Sequence, residues 1–306
     1  QELQKVMNKA QKIIDGGEFE NYDKVEQLVR NALQVGQRED GQSDVFANLD
    51  EVLNEDYRHP IPMGIPGIDR LLKGGLAKGE IGVVLAPTGV GKSTLLTKIS
   101  NHAFNLGYNV LQIFFEDNPK IIQRKHFTLW TKIHPDELSL KKDEVMAKVH
   151  EIKTTMPNKL ILKKLPSDTM SMLQIKNQIR KMIADGIKID MVLLDYIDCV
   201  VPDRNLGDEW KSEGSVMRAF EAMCHELDLV GWTATQGNRQ SISSDVVTTD
   251  QMGGSIKKAQ VGHVIISVAK SLQQKEMKLA TIAITKSRIG DDGVVFENCK
   301  FDNGML

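Results

Sequence analysis

The chain has 306 residues, of which 41% are hydrophobic and 26% charged, with a formal net charge of −2 at pH 7. This length allows one large globular domain with an appendage. No run approaches the roughly 18 uncharged apolar residues of a membrane span, and the first residues lack the apolar stretch of a signal peptide. A protein that coats DNA is usually more basic, but a few cations lining a channel can bind nucleic acid locally. Composition therefore leaves the partner open.

The three cysteines, Cys199, Cys224 and Cys299, form neither a CxxC pair nor a zinc spacing. This usage predicts reduced thiols in a cytoplasmic protein, and the lack of a membrane-length apolar run predicts that the protein has no membrane partner. The chain opens with Gln1 rather than Met, which suggests a truncated or processed protein.

Two helices are predicted at the N-terminus. Residues 1–15 carry apolar side chains at helical spacing, and Asp23 can cap a second helix with its own apolar face. Each stripe is too narrow to form a core alone, so it must dock either on the main domain or on a neighbouring subunit. A proline-rich linker, 54–66, follows. We predict a helical linker and subunit-docking segment over 1–55 and one large domain over 56–306.

The large domain alternates short apolar runs with helical stretches, which predicts an α/β fold with a mainly parallel sheet flanked by helices. The predicted strands are Ile81–Leu85, Asn109–Phe115, Lys159–Leu162, Met191–Leu194, Gly231–Thr235, His263–Val268 and Leu279–Thr285. Gly290 and Gly293 precede one more run, Val294–Phe296. This last pattern predicts a hairpin added at the edge of the sheet.

A phosphate-binding loop (P-loop) connects the first strand to the next helix. It comprises Ala86, Pro87, Thr88, Gly89, Val90, Gly91, Lys92, Ser93 and Thr94. Gly89 and Gly91 permit torsions that let amide N–H groups point at phosphates. Lys92 is expected to reach the β- and γ-phosphates, and the Ser93 hydroxyl to ligate Mg²⁺. Ala86 replaces the usual first glycine, but the strand-loop-helix context predicts a site for ATP or another NTP with Mg²⁺.

Three further strand ends supply polar groups. Asp195 follows an apolar strand and is expected to hold the metal, although a strand-end aspartate can also cap a turn. Glu116 and Asp117 follow another strand, and we favour Glu116 as the base that polarises water because it comes first. Gln236 follows the run GWTAT and is either a sensor of the γ-phosphate or an ordinary loop amide.

The order of these motifs along the chain indicates a family resemblance. The runs GIPGIDRLLKGGLAKGE, APTGVGKST, FFED, LLDYID, TATQGNRQ, GGSIKKAQVGHVI and ITKSRIGDDG together resemble the ATPase domain of the replicative hexameric DNA helicases, the DnaB-like group. Through GWTATQ and SSDV the chain looks closer to the T4-type phage helicases than to the bacterial ones. The resemblance covers about residues 60–306, and residues 23–37 occupy the place of the family's linker helix.

This resemblance implies a RecA-like P-loop NTPase core in a homohexameric ring that translocates on single-stranded DNA and unwinds duplex. ATP would be hydrolysed at subunit interfaces, in the cytoplasm of a bacterium or a phage-infected host. Lys92, Ser93 and Asp195 would bind nucleotide and Mg²⁺. Glu116 would be the catalytic glutamate, and Gln236 the sensor that links the γ-phosphate to a DNA-facing loop. A primase and a helicase loader are further partners that the family implies.

Two cations in the run KSR also match the family. Arg288 would be the arginine finger that enters the next subunit's site, with Lys286 beside it. The physical logic agrees, because residues two apart on a strand share a face and a guanidinium suits the charge on phosphoryl oxygens. The alternative is a surface pair that balances Asp291 and Asp292.

Two segments would face DNA in the central channel, Asp203–Ser215 and the loop Ser241–Gly254 with the residues that follow it. The candidate contacts are Arg204, Lys211, Gln251, Gly253, Gly254, Ser255 and Lys257, with Lys258 as an alternative to Lys257. Glycines let backbone N–H groups approach phosphates. This chain has Gln251 and Met252 where bacterial relatives carry Arg-Glu, so contacts would rely more on backbone amides and on the lysines. The alternative is a pair of solvated loops.

Other classes of protein share part of this pattern. A RecA/RadA-like recombinase or a KaiC-like regulatory ATPase also contains a segment like GIPGIDRLLKGGLAKGE. A single Glu116, rather than paired glutamates, disfavours the KaiC-like class, and the segments TKSRIG and GGSI favour the helicase. A third alternative is an inactive ATPase that serves only as a platform for assembly. Such a protein would lack a catalytic residue, and this sequence contains every one that is expected. The bacterial family also carries a helical N-terminal domain, and we expect either that it has been removed from this chain or that this protein lacks it.

Overall fold

The computed structural model describes residues 45–46, 49–53, 58–203, 209–238, 241, 244, 246–252 and 256–302. The two predicted N-terminal helices lie outside these residues. The chain divides into two compact units, Gln1–Tyr57 and Arg58–Leu306. The fold described below is that of the second unit.

The second unit contains eight strands within its described ranges. These are β1 (Ile81–Ala86), β2 (Val110–Phe114), β3 (Leu160–Lys164), β4 (Met191–Asp195), β5 (Val230–Gln236), β6 (Val264–Ala269), β7 (Leu279–Ser287) and β8 (Val294–Lys300). The described α-helices, of which only α1 lies in the first unit, are α1 (Leu49–Val52), α2 (Pro66–Leu71), α3 (Lys92–Asn105), α4 (Pro119–Thr131), α5 (Lys142–Thr155), α6 (Met172–Ala184), α7 (Glu209–Glu226), α8 (Ile256–Val261) and α9 (Leu272–Glu276). None of the described helices is long and apolar enough to cross a bilayer.

All strands belong to one sheet of order β3-β2-β4-β5-β1-β6-β7-β8. Strands β1 to β6 are parallel to one another, and β7 and β8 are antiparallel at one edge. The predicted α/β class and the edge hairpin are therefore confirmed. The two hairpin strands are longer than expected, because β7 extends past Thr285 and β8 past Phe296, where the two strands and β6 supply pairing partners.

Two apolar clusters cover the two faces of the sheet. One contains side chains such as Val83, Leu194 and Phe220, and the other contains Val84, Leu193 and Trp232. Alternate residues of a strand point to opposite faces, so β1 and β4 contribute to both clusters. Burial on both faces explains why these strands are continuous apolar runs rather than alternating ones.

The central strands end together at one edge of the sheet. Ala86 at the end of β1 is in register with Gln236 at the end of β5, and Phe114 of β2 is in register with Asp195 of β4. Because these strands are neighbours in the order β2-β4-β5-β1, their following loops meet at the carboxyl edge. Ligands bind at this edge in open α/β sheets.

Candidate functional site

The P-loop between β1 and α3 has left-handed glycines. The φ of Gly89 is +77° and that of Gly91, the N-cap of α3, is +113°. Other residues rarely adopt such torsions. A Cβ added at Gly89 would meet no atom within 4 Å, so the loop leaves open space in front of its backbone. An anion can approach the first turn of α3 there.

Lys92 lies folded across this loop. Its Nζ donates to the carbonyl oxygens of Ala86 and Pro87, each at 3.2 Å. Burial lowers the pKa of Lys92, whereas the nearby carboxylates of Asp195, Asp198 and Glu116 act to raise it. The ammonium therefore sits among three anionic side chains, next to the backbone of the loop that is predicted to bind phosphate.

Asp195 is a buried carboxylate at the end of β4, with 5% of its surface exposed. Burial raises its pKa to about 6, although a hydrogen bond with Ser93 and the charges of Lys125 and Lys92 oppose that shift. The structure thus places the Ser93 hydroxyl and the Asp195 carboxylate in direct contact. Both belong to the groups that sequence analysis assigns to the metal.

The residues fit a magnesium nucleotide. No three His, Cys, Asp or Glu side chains converge on a metal position anywhere in the described ranges. One hydroxyl and one carboxylate suit Mg²⁺, which keeps waters and takes oxygens from substrate phosphates. A buried carboxylate whose charge is disfavoured gains from a neighbouring cation. The open cradle at Gly89 leaves room for the phosphates beside these two groups.

Sequence reasoning missed a tyrosine that links the candidate catalytic groups. Tyr196 Oη donates to Glu116 Oε1 at 3.4 Å and accepts from Gln236 Nε2 at 3.1 Å. Thr88 Oγ1 in turn donates to Gln236 Oε1 at 3.4 Å. Burial raises the pKa of Tyr196, so the phenol keeps the proton that it donates. Its position directly after Asp195, at the carboxyl edge, is the signal that could have found it.

The structure also separates the two acidic residues after β2. Asp117 Oδ2 lies 3.5 Å from Lys125 Nζ in an ion pair with the following helix, α4. Glu116 is exposed and its carboxylate meets Tyr196. This arrangement supports Glu116 over Asp117 as the base.

A buried polar network supports the P-loop helix from behind. Gln112 Nε2 donates to Thr97 Oγ1 at 3.1 Å, and Thr97 Oγ1 donates to the Ser93 carbonyl oxygen at 2.7 Å. On its other side, Gln112 Oε1 accepts from Ser100 at 2.9 Å and from His126 Nε2 at 3.1 Å. Strand β2 and helix α4 are thereby tied to the first turn of α3.

Asp198 organises the end of β5. Its carboxylate accepts from Thr235 Oγ1 at 3.0 Å and from the Gln236 backbone N–H at 3.2 Å. It also forms an ion pair with Lys258, Nζ to Oδ1 2.5 Å, whose side chain is 4% exposed. In this conformation the Lys258 ammonium is therefore buried in that pair, and its contact with a DNA phosphate stays a prediction.

Backbone hydrogen bonds join the two ends of the loop that follows β5. Gly237 bridges Met252, and the Asn238 N–H donates to the Gln251 carbonyl at 2.7 Å. The Gln251 side chain is used inside the loop, where its Nε2 donates to Ser244 Oγ at 2.9 Å and its Oε1 accepts from the Thr248 N–H at 3.2 Å. A displacement at Gln236 has a short path to this loop.

Most of the predicted DNA contacts fall outside the described residues. Arg204, Gly253, Gly254 and Ser255 are among them, and the side chain of Lys211 in α7 is not described either. Lys257 is half-buried on α8. These residues stay predictions.

Lys286 and Arg288 both contact the carboxyl end of α8. Lys286 Nζ donates to the carbonyl oxygens of Ala259, Gln260 and Gly262 at 2.6, 2.8 and 2.7 Å. Burial, together with the charge of Arg288, lowers the pKa of Lys286 to about 8. The exposed Arg288 donates from Nη2 to the Gln260 carbonyl at 2.5 Å. The guanidinium lies at the surface, where a neighbouring molecule can reach it.

The profile of the family described as DnaB-like helicase C terminal domain matches residues 60–303. The chain belongs to this family. The match spans every strand of the sheet and the whole candidate site, so the expected family and the RecA-like ATPase fold are confirmed.

Two relatives illustrate the range of similarity. A DnaB-like replicative helicase of Enterobacteria phage T4 is 21% identical over 242 residues, which cover 76% of this chain and 50% of that protein. The DNA repair protein RadA of Mycobacterium tuberculosis is 28% identical over 104 residues, 34% of this chain and 22% of that protein. The chain thus spans about half the length of its phage relative in the DnaB-like helicase family.

Two solved structures share the fold. One is an isolated ATPase domain, with a TM-score of 0.68 at 17% identity, and the match covers 83% of this chain and 95% of that chain. A DnaB-like replicative helicase, described with its interactions with primase, has a TM-score of 0.69 at 17% identity, with 95% of this chain and 73% of that chain covered. At this identity the likeness concerns the fold.

Proposed function

We propose that this domain is the ATP-hydrolysing motor of a replicative DNA helicase, which translocates on single-stranded DNA and unwinds duplex. The observation that carries the proposal is the hydrogen-bonded chain from Glu116 through Tyr196 to Gln236. It connects the candidate base to the strand end from which the predicted DNA-facing loop begins. Membership of the DnaB-like family supports the same reading.

Nucleotide and metal would bind at the P-loop. Lys92 and the backbone of the glycine turn would bind the phosphates, and Ser93 and Asp195 would hold Mg²⁺. A bound Mg²⁺ would supply charge neutralisation on the phosphate oxygens. Lys92 would exchange its two carbonyl partners for phosphate oxygens, which are stronger acceptors because they are charged.

Glu116 would accept a proton from the attacking water. Its carboxylate is exposed at the carboxyl edge, and Tyr196 holds one of its oxygens by a hydrogen bond while the other remains available to accept. Gln236 would report the γ-phosphate, because Thr88 of the P-loop already bonds to its side-chain oxygen. Loss of the γ-phosphate would thus change the position of Gln236, and with it that of Gly237 and the loop that follows β5.

A second copy of the chain would complete the site. Arg288 is surface-exposed, and a guanidinium from a neighbouring subunit can stabilise charge on the transferred phosphoryl group. We propose a hexameric ring, in which residues 1–55 dock between subunits. Primase is a further proposed partner, because a DnaB-like helicase of similar fold is described with primase, and a helicase loader is another.

Unwinding of a forked DNA duplex, with ATP and Mg²⁺, tests this function directly. The expected result is strand separation that needs both ATP and a single-stranded tail, with none for Lys92→Ala. The protein should also sediment as a hexamer when ATP and Mg²⁺ are present. ATP hydrolysis that single-stranded DNA does not change, together with no unwinding, would refute the helicase assignment.

A recombinase is the second candidate, favoured by the partial match to RadA. Recombinases of this class also hydrolyse ATP on DNA, so hydrolysis alone does not separate the two. DNA-stimulated hydrolysis without unwinding, with nucleoprotein filaments in electron micrographs, would support the recombinase. Closed rings and unwinding would support the helicase.

A further inference from the structure

Lys258 is a charged residue whose ammonium is buried. It lies on α8, the helix that follows the predicted DNA-facing loop, and only 3% of its surface is exposed. Its ammonium pairs with Asp198 at 2.5 Å. A lysine is rarely this buried unless it is paired. The ion pair therefore fixes α8 against the segment that follows β4.

Asp198, the partner of Lys258, is hydrogen-bonded to the end of β5. Asp198 accepts hydrogen bonds from the Thr235 hydroxyl and from the Gln236 backbone N–H. The side chain of that same Gln236 bonds to Tyr196 and to Thr88 of the P-loop. Asp198 and Gln236 thus connect the Lys258 ammonium to Thr88 of the P-loop through hydrogen bonds.

The carboxyl end of α8 is held by side chains from the end of β7, next to the proposed arginine finger. Lys286 binds the carbonyl oxygens of Ala259, Gln260 and Gly262, and Arg288 binds that of Gln260. Cations at the carboxyl end of a helix satisfy its unpaired carbonyl groups. Helix α8 is therefore linked to the end of β5 through Lys258 and Asp198, and to the end of β7 through its last carbonyl groups.

We propose that Lys258 is a positioning residue that couples DNA binding to ATP hydrolysis, by tying α8 to Gln236 through Asp198. This inference rests on the proposed function, since it assumes that the loop preceding α8 binds DNA. When DNA displaces that loop, α8 carries the displacement to Gln236 in its own subunit. The same helix would carry it to Arg288, which we propose reaches the neighbouring subunit. Breaking the ion pair removes no group that is expected to contact the nucleotide, but it disconnects Gln236 from α8 and so from the loop.

The test is the Lys258→Met variant, which keeps a long unbranched side chain and removes the charge. ATP hydrolysis without DNA should stay within about twofold of the parent, with an unchanged KM for ATP, whereas stimulation by oligothymidylate should fall about tenfold. Lys258→Arg, which keeps the charge, should restore part of the stimulation. A folded Lys258→Met protein with full stimulation would overturn the proposal.

A second variant covers the case in which a lone Asp198 charge prevents folding. The double variant Lys258→Met with Asp198→Asn removes both charges, so no buried ion is left unpaired. It should fold and show the same lost stimulation, and retained stimulation in it would also overturn the proposal. Absence of stimulation in the parent protein would refute the proposed function itself, which keeps the two failures distinct.

Arg58→Met is the matched control. Arg58 and Glu80 form an ion pair at 2.6 Å whose side chains are 16% and 19% exposed, so it is a second largely buried pair beside Lys258–Asp198, whose side chains are 4% and 23% exposed. Glu80 directly precedes β1, at the edge of the sheet opposite the P-loop. The control should lose thermal stability but keep its DNA stimulation. If it lost stimulation equally, the effect of Lys258→Met would be one of general destabilisation, and the proposal would be wrong.

Discussion

Tyr196 donates its phenol hydrogen to Glu116 Oε1 across 3.4 Å. The candidate base is therefore held by a side chain from the neighbouring strand end rather than by its own loop. Because Tyr196 also accepts from Gln236, one hydroxyl orients both the base and the sensor. A carboxylate fixed in this way keeps one oxygen directed while the other is available for a proton.

Tyr196→Phe should lower kcat for ATP by about tenfold while leaving KM for ATP nearly unchanged, because it removes an orienting hydrogen bond and no phosphate contact. The ring and its packing are kept, so the melting temperature should change little. Steady-state ATPase assays and thermal denaturation measure both effects. A raised KM with unchanged kcat would contradict the positioning role.

Tyr108→Phe is the control for that experiment. Tyr108 is also partly buried, packs on the core, and follows the end of α3 rather than a strand end at the site. Removal of the Tyr108 hydroxyl should leave kcat for ATP unchanged.

Glu116→Gln and Lys92→Ala should separate turnover from binding. Glu116→Gln keeps a side chain that can still accept from Tyr196 but cannot take a proton, so ATP should bind normally and turnover should fall about 10²- to 10⁴-fold. Lys92→Ala removes the ammonium beside the P-loop and should weaken nucleotide affinity as well. Fluorescent-nucleotide titration and single-turnover hydrolysis distinguish the two results. Asp117→Asn, at the acid paired with Lys125, should retain most of the activity.

Much of this fold follows from local sequence pattern. Apolar runs buried on both faces are typical of central parallel strands, and so every strand of the sheet was predicted, including the edge hairpin. The P-loop was equally clear, because its glycines and lysine, placed between a strand and a helix, are typical of phosphate binding. Asp195 and Gln236 follow from the rule that polar groups at the carboxyl ends of parallel strands converge.

The interactions between strand ends could not be predicted from pattern. Tyr196 belongs to a run, LLDYID, in which a tyrosine is also common as a core residue, so only the neighbouring Glu116 and Gln236 reveal its role. The inward orientation of Lys258, as opposed to Lys257, depends on the position of Asp198 some sixty residues away. Tertiary contacts of this kind have no local signature.

Arg288→Ala should abolish most DNA-stimulated ATP hydrolysis, because a guanidinium that neutralises phosphoryl charge is worth about 10³- to 10⁵-fold. Mixing this variant with Glu116→Gln provides the sharper measurement. If Arg288 acts in the neighbouring subunit's site, mixed rings contain some interfaces with both Glu116 and Arg288 intact, and activity should partly return. Mixtures as inactive as their components would place Arg288 outside the shared site.

Arg288→Lys and Arg180→Ala are the matched variants for that prediction. A lysine keeps the charge but cannot make the forked contacts of a guanidinium, so Arg288→Lys should remain strongly impaired. Arg180 lies on α6 and pairs with Glu226 at the surface. Its truncation should have little effect on hydrolysis.

His126 makes the stability of the domain depend on pH. It is buried between Asn101 and Gln112, and burial, with a smaller contribution from the charge of Lys125, lowers its pKa to about 3. Its Nε2 donates to Gln112 Oε1, so its Nδ1 must accept from Asn101, and a second proton would break that contact. In the unfolded chain the histidine protonates near pH 6.5. Protonation of the unfolded chain therefore lowers the free energy of unfolding as the pH falls below about 6.5. Above that pH, His126 is neutral in both states and has no such effect.

The His126→Gln variant should lose this dependence. Between pH 6.5 and 5, the free energy of unfolding of the parent should fall by about 2 kcal/mol more than that of the variant. Urea denaturation at a series of pH values measures the difference. Asp195 titrates in the same range, because its pKa is raised to about 6, but it does so in both proteins and cancels. His150→Gln, at an exposed position on α5, should keep the parent's pH dependence, and equal slopes in all three proteins would show that His126 protonates in the folded state.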